Sequence, residues 1–354
     1  MRRLGSVAVL LLLVALAAPG WCASGAPARE WRVACETVEG GVADLYAKEL
    51  ARLLAEKSGD AIRLDVFYFG TLGTPSEMFE LVRNGAMEFC LTGPCQSSYL
   101  VPENQFLGLH FLFSADPEVN GELLANSRAL NVMLNEKYME KGVRVLSYFA
   151  EGEMFWTADR PIHSPDDFKG FRIRVMPSLL LEESYRAYGA DPVPMPFTEL
   201  YTALQLGEAD GQENAPATVQ EMGFMEVQDF LIGSRHNVYV MQHVVNEAFF
   251  KSLDDDVRAM LMESVAEASL YIRRVQMELN AARLKTLVDE LGPGQEYYEL
   301  TPQERAAFRE IASGVYPKYM ELAGDREFAK VLLDTFRREI AELERAREGQ
   351  RAGD

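Results

Sequence analysis

From Asp254 to Leu291 the chain runs without a glycine or proline and keeps helical periodicity throughout. At 1.5 Å per residue that is one helix of roughly 55 Å, well beyond the diameter of a single small domain. A helix of that length has to lie across more than one core. The residues before it alternate between strand and helix signals. Trp31–Cys35 reads as a strand, Val42–Lys57 as a helix closing near Gly59, and Ile62–Phe69 as a second strand. Thr74-Pro75-Ser76-Glu77 is a capping box with Pro at the first helical position, opening a helix that stops at Asn84-Gly85, and Met87–Thr92 is a third strand. The order repeats after a helix read over Glu122–Lys141, with strands Arg144–Phe149 and Phe171–Val175 and a helix Ser178–Ala187. Such βαβ order calls for parallel sheets with right-handed crossovers. The fold class expected is α/β in two lobes, each a mostly parallel sheet with flanking helices, tied together by the long helix.

Length and charge narrow the function. Arg2 and Arg3 precede the apolar run Val7–Ala18, too short for a stable membrane anchor, and Ala26-Pro27-Ala28 offers a cleavage site. Residues 1–28 read as a cleaved signal peptide and the remainder as an exported, periplasmic protein. Without Arg2 and Arg3 the chain keeps 33 basic side chains against 54 acidic ones. Nucleic acid and anionic lipid repel such a chain before contact. Cys35 and Cys90 fall at strand ends where a bridge can be drawn, with buried free thiols the simpler reading, and Cys95 is left over. The four histidines show no metal-ligand spacing and no CxxC occurs, so neither metal nor cofactor is expected.

The segment Asp191–Pro216, DPVPMPFTELYTALQLGEADGQENAP, carries the binding signal. Prolines 192, 194 and 196 make a stiff edge or connector, and Thr198 and Glu199 open a short helix that Gly207 closes. The polar run DGQEN then has little apolar cover. In an open α/β sheet, ligands bind beyond the carboxyl ends of strands. Those ends are Thr37–Gly41, Phe69–Thr74, Thr92–Ser97, Ala150–Met154, Arg174–Ser178 and Gln212–Pro216. Asn214 can donate and accept there, and Arg174 in FRIRV offers a fork for a carboxylate. Arg174 can equally pair with a structural acid such as Glu213, and the residues alone leave both open.

The run from Asp166 to Pro216, with TLGTPSEMFELVRNGAMEF, LHFLF at 109–113, MEVQDFL at 225–231 and the long helix, resembles the solute-binding proteins of tripartite ATP-independent periplasmic (TRAP) transporters. The likeness covers nearly the whole mature chain. It implies a periplasmic receptor that closes its cleft on a small carboxylate-bearing solute and delivers it to the small and large subunits of an ion-gradient-driven membrane permease. It places the ligand-clamping arginine at Arg174, the asparagine of the QEN run at Asn214 and the aromatic of the PMPF run at Phe197. Glu77, Thr92, Trp156 and Tyr201, near strand ends, complete the candidate ligand-binding set.

One departure bears on the ligand. Many relatives carry a second arginine in a G-F-R-x-F-T stretch, and this chain has EGEMFWTAD at 151–159, with Glu153 or Met154 in its place. Two residues apart on one strand, Glu151 and Glu153 share a face, toward the cleft or away from it. Facing it, Glu153 favours a ligand with one carboxylate and, at its other end, an ammonium or hydroxyl donors, amino-acid-like or aromatic. Enzyme signatures are absent; only Glu151 or Glu153 against Glu213 could form a hydrolase's pair of carboxylates. A periplasmic sensor component would share this fold. The expected division is lobe I at 29–150 plus about 240–275, lobe II at 151–239 plus about 276–300, and C-terminal helices at 301–354 on a monomeric receptor.

Overall fold

The computed structural model describes residues 29–351; the export segment read at 1–28 lies outside the described residues. The strands are β1 (Arg29–Cys35), β2 (Ile62–Phe67), β3 (Phe89–Thr92), β4 (Val143–Glu153), β5 (Phe155–Ala158), β6 (Arg172–Val175), β7 (Asp191–Pro194), β8 (Gly211–Asn214), β9 (Phe230–Gly233), β10 (Val238–Asn246) and β11 (Glu296–Glu299). They form two sheets, ordered β2-β1-β3-β10-β4 and β11-β9-β5-β8-β6-β7. Both are mixed. β10 lies antiparallel between β3 and β4, and β5 lies antiparallel between β8 and β9. These antiparallel insertions come from the crossings. β4 ends the first sheet and β5 enters the second after Met154 alone, while β9 returns through residues 234–237 to β10. Met154 N–H donates to the Asn237 carbonyl at 2.8 Å and ties the two crossings together.

The helices follow as α1 (Val42–Ser58), α2 (Pro75–Arg83), α3 (Pro117–Asn126), α4 (Asn135–Met139), α5 (Leu179–Tyr188), α6 (Leu200–Gln205), α7 (Pro216–Glu221), α8 (Glu247–Ser252), α9 (Asp255–Asp289), α10 (Pro302–Ser313), α11 (Tyr316–Leu322) and α12 (Arg326–Arg351). The expected capping box at Thr74 and Glu77 is formed, as is its counterpart at Thr301 and Glu304. The single helix expected at Glu122–Lys141 is broken. Ser127 leaves helical geometry with ψ 124°, its Oγ accepts from Leu130 N–H, and Asn131 Nδ2 donates to the carbonyls of Leu124, Ala125 and Ser127. Local side-chain bonds of this kind compete with the helical ladder.

α9 is the long helix, and it joins the lobes. Leu261, Val265, Ala268 and Ile272 pack into the core beneath the first sheet, and Leu287 and Leu284 into the core beneath the second. Asn280 stands where the lobes meet: its Nδ2 donates to the Glu151 carbonyl at 2.7 Å and its Oδ1 accepts from Ala217 N–H at 3.1 Å. α12 buries Leu332, Leu333 and Phe336 on the first lobe, and α10 buries Phe308 and Ala312 on the second. Cys35 and Cys90 sit on neighbouring strands but face opposite ways, since Cys35 is opposite Leu91 and Cys90 opposite Ala34. All three cysteines of the described residues are free thiols.

Gly152 is needed because α9 comes so close to β4. A methyl group there would stand 2.8 Å from Ala215 Cβ and 2.8 Å from Asn280 Nδ2. Gly152→Ala is therefore expected to displace Asn280 and lower stability by roughly 1–3 kcal/mol, the usual cost of overpacking. Urea unfolding of both proteins measures this, and coincident curves would show that the crossing has slack.

Candidate functional site

The carboxyl ends of the two sheets face each other across a small cavity of about 40 Å³. Glu36, Thr37, Pro75 and Gln96 line it from the first lobe, Arg174, Met176, Phe197, Asn214 and Thr218 from the second, and Glu151 and Tyr239 from the crossing strands. Roomier depressions run along α9, but Glu153 and Arg235 or Glu122 and Arg273 bring their charges there as ion pairs.

Arg174 comes from β6 and is 1% exposed. Its Nε and Nη2 donate to the Met195 carbonyl at 3.2 and 3.0 Å, which steers the guanidinium from β6 past the proline arm. Phe197 lies under it with the ring centre 5.7 Å from Cζ. Among the described residues no carboxylate lies within 4.0 Å of this cation. Burial pulls it down to about 10, against the pull of Glu213, so it stays charged at neutral pH. The structural-acid pairing left open by the sequence is absent, because Glu213 points to the other face of β8.

Within DGQEN, Gly211–Asn214 form β8 directly after Asp210, and alternation sends the polar groups of the run to separate partners. Asp210 accepts from the backbone and guanidinium of Arg172. Gln212 bonds Thr157 and holds the Asn214 amide, which lines the cavity. Glu213 Oε2 accepts from Tyr185 Oη at 2.6 Å and from His236 Nε2 at 2.7 Å. Burial alone would raise this acid, but His236 and His110 beside it hold it down to about 2. His110, Glu213 and His236 bring their donor atoms within 4.8 Å of one another, a convergence that sequence spacing does not reveal. With Tyr185 and His236 both bonded to Glu213 Oε2, the cluster is a buried hydrogen-bonded group beside the crossing strands.

Glu36 was not among the expected residues, although it directly follows β1. Its carboxylate accepts from Thr92 Oγ1 at 2.6 Å, Gly93 N–H at 2.9 Å and Tyr239 Oη at 2.6 Å, and burial raises it despite those bonds. Thr92 thus supports Glu36 and does not itself line the cavity. Glu151 joins Glu36 there. It is 4% exposed, accepts from Thr218 Oγ1 at 3.1 Å, and is pushed up to about 8 by burial and by the neighbouring charges of Glu36 and Glu221.

Five further expectations are corrected. Glu153 does not share a face with Glu151. The ladder slips between Tyr239 and Val240, which pair with Gly152 and Ala150, so Glu151 is the extra residue of a bulge and alternation is lost. Glu153 instead pairs with Arg235, which also binds Glu299 at 2.7 Å. Trp156 is 1% exposed, donates to Tyr185 Oη at 2.9 Å and stacks on His236, inside the second lobe. Tyr201 is tied to Glu226 at 2.8 Å, and Glu77 is spent on the cap of α2, so neither reaches the cavity. The pair of facing carboxylates considered for a hydrolase is also not assembled, since Glu213 and Glu153 both lie outside the cavity.

The comparisons with known proteins agree with this architecture. A family model described as bacterial extracellular solute-binding protein, family 7 (DctP), matches residues 37–322. The ectoine-binding periplasmic protein TeaA of Halomonas elongata is 31% identical over 324 residues, 90% of this chain and 92% of TeaA. Its structure superposes with a TM-score of 0.84, covering 88% of this chain and 99% of that one. The C4-dicarboxylate-binding periplasmic protein DctP of Rhodobacter capsulatus is 31% identical over 280 residues, 78% of this chain and 83% of the relative. A TRAP periplasmic solute-binding protein of Marinobacter aquaeolei, in an apo open form, is 36% identical with a TM-score of 0.80, covering 87% of this chain and 99% of that one. A chain with these two lobes, this cavity and these relatives belongs to the family of TRAP-transporter solute-binding proteins.

Proposed function

We propose that this receptor captures, in the periplasm, a small solute bearing one carboxylate and one cationic or strongly hydrogen-bond-donating group, and hands it to the membrane subunits of a TRAP permease. The observation that carries the reading is the charge layout of the cavity. One buried guanidinium without a carboxylate partner, Arg174, comes from the second lobe, and two carboxyl groups, Glu36 and Glu151, come from the first lobe and the crossing strand. A ligand carboxylate on Arg174 supplies the missing counter-charge through a bidentate, charge-assisted contact. Phe197 and Asn214 border the same end, and Glu36 and Glu151 receive the donor end. A C4-dicarboxylate needs a second cation, and among the described residues Arg174 is the one cationic side chain lining this cavity. An ectoine-like cyclic amidinium carboxylate matches the layout, in keeping with the ectoine-binding relative. Cleft closure on the ligand, export through cleavage after residue 28, a monomeric state, the absence of catalysis and the lobe division at 150/151 and about 239/240 belong to the same reading. The arrangement of strands around the two crossings supports its closure and lobe division.

Three outcomes follow. Thermal-shift screening of unfolded and refolded mature protein is expected to show a raised melting temperature with ectoine-like and other zwitterionic carboxylates, and little change with succinate. Equal stabilisation by succinate would overturn the charge argument. With a ligand in hand, Arg174→Lys is expected to lose about 2–5 kcal/mol of affinity in calorimetry, because a point charge cannot replace the planar fork. Glu36→Gln is expected to weaken the zwitterion more than its analogue lacking the cationic group. Wild-type affinity in Arg174→Lys would remove the clamp, and an equal loss for both ligands in Glu36→Gln would remove the cation contact.

A further inference from the structure

Glu221 ends α7 in the second lobe and does not line the ligand cavity. It reaches across to the first lobe. Gly41, the N-cap of α1, has no side chain to cap that helix, and a methyl group on it would stand 3.1 Å from Glu221 Oε2. Glu221 Oε1 is buried with no hydrogen-bond partner among the described residues. The groups around it come from four elements. Asp44 on α1 is already held by Lys48 at 2.9 Å and by Tyr68 Oη at 2.8 Å. Arg283 on α9 gives its Nη1 to Gln220 at 2.9 Å, and its Nε is buried without a partner. Glu151 on β4, with Glu36 beyond it, lies on the far side of Thr218. The junction thus gathers four acids, with Arg283 the cation beside Glu221.

We propose that Glu221 makes closure of the two lobes proton-linked: bringing them together carries its carboxylate out of water against Gly41 and Asp44, so the closed arrangement prefers the protonated acid. The inference rests on the reading of this chain as a receptor that closes. It goes beyond that reading because it assigns a role to a residue that touches no ligand. Burial pushes Glu221 up to about 7, with Arg283 opposing and Asp44 adding to it. In the parted lobes the solvated carboxyl titrates in its ordinary range, about 4.3. The closed value is the raised one, so the contribution to closure is fully present below the ordinary value and is lost as pH rises through 7. Between the two, one proton is taken up on closing, and this group alone lowers the closing constant about tenfold per pH unit. Glu151, raised for the same reason, adds a second dependence that extends to higher pH.

The test uses the full mature chain without ligand. Spin labels are placed on cysteines introduced at exposed Glu56 of α1 and Leu206, just after α6. Pulsed electron resonance then reads the populations of open and closed distances from pH 5 to 7. The closed-to-open ratio is expected to fall more steeply in the parent protein than in Glu221→Gln, by roughly tenfold per pH unit. Glu221→Asp, which still titrates, should keep a pH slope, and Gly41→Ala should lower the closed population at every pH. Parallel profiles for the parent and Glu221→Gln overturn the proposal, and so does a single distance at all pH. As a check that needs no variant to fold, carbon-13 titration of the glutamate carboxyls should show one group titrating near pH 7. Its absence also overturns the proposal. A pH-linked closure in a protein that binds no carboxylate would sink the receptor reading and leave this one standing.

Discussion

A guanidinium taken out of water without a carboxylate partner is the constraint around which the second lobe is arranged. The effective cost of burying an ion runs to several kcal/mol, and the Met195 carbonyl offsets only part of it. The rest of the lobe directs other charges away from Arg174. Glu213, next in line on β8, faces the opposite side and is satisfied by Tyr185 and His236. Arg172, two residues earlier, is matched to Asp210. What remains uncompensated is one positive charge at the mouth of a small cavity, which is what a receptor for an anionic group requires.

The first lobe and the crossings supply the opposite polarity. Glu36 is fixed by three donors and so is a rigid acceptor, whereas Glu151 has one donor and an acidity displaced toward neutral pH. Their placement depends on the strands that pass between the lobes. A bulge in β4 turns Glu151 inward and leaves Glu153 to Arg235, whose own backbone is held at φ 43°. Backbone in that region is costly for a residue other than glycine and persists where its surroundings hold it. Here the ion pairs of Arg235 with Glu153 and Glu299 provide that hold.

Membership in the family of TRAP-transporter solute-binding proteins gives the architecture and the mode of action, but the ligand is a property of the site. Relatives of comparable identity are named for ectoine and for C4-dicarboxylates, so overall similarity does not choose between them. The proposed ligand rests on the lining charges. One cation and two acids favour a solute with both polarities, and the loss of the arginine from the 151–159 segment has the same consequence.

The helical run at 254–291 required a scaffold longer than one core, and the capping box at Thr74 located a helix start, because these signals are local and depend on neighbours a few residues apart. The strand-end rule likewise put Arg174 and Asn214 at the ends of strands, since alternation and turn chemistry are written in the sequence, and the family resemblance added Phe197. Glu153, Trp156, Tyr201 and Glu77 were legible as polar or aromatic residues near strand ends, but not as to where they point. Direction depends on partners distant in the chain: a one-residue slip between β4 and β10 decides between Glu151 and Glu153, and His236 with Tyr185 claims Trp156 for the core. The bond between Glu213 and His236 and the approach of Glu221 to Gly41 join segments far apart in sequence. The sequence by itself determined the class of fold, the family and the strand end that carries Arg174. Only the tertiary structure decided which acids oppose that arginine, because burial and through-space contact set the direction and the protonation of a carboxylate.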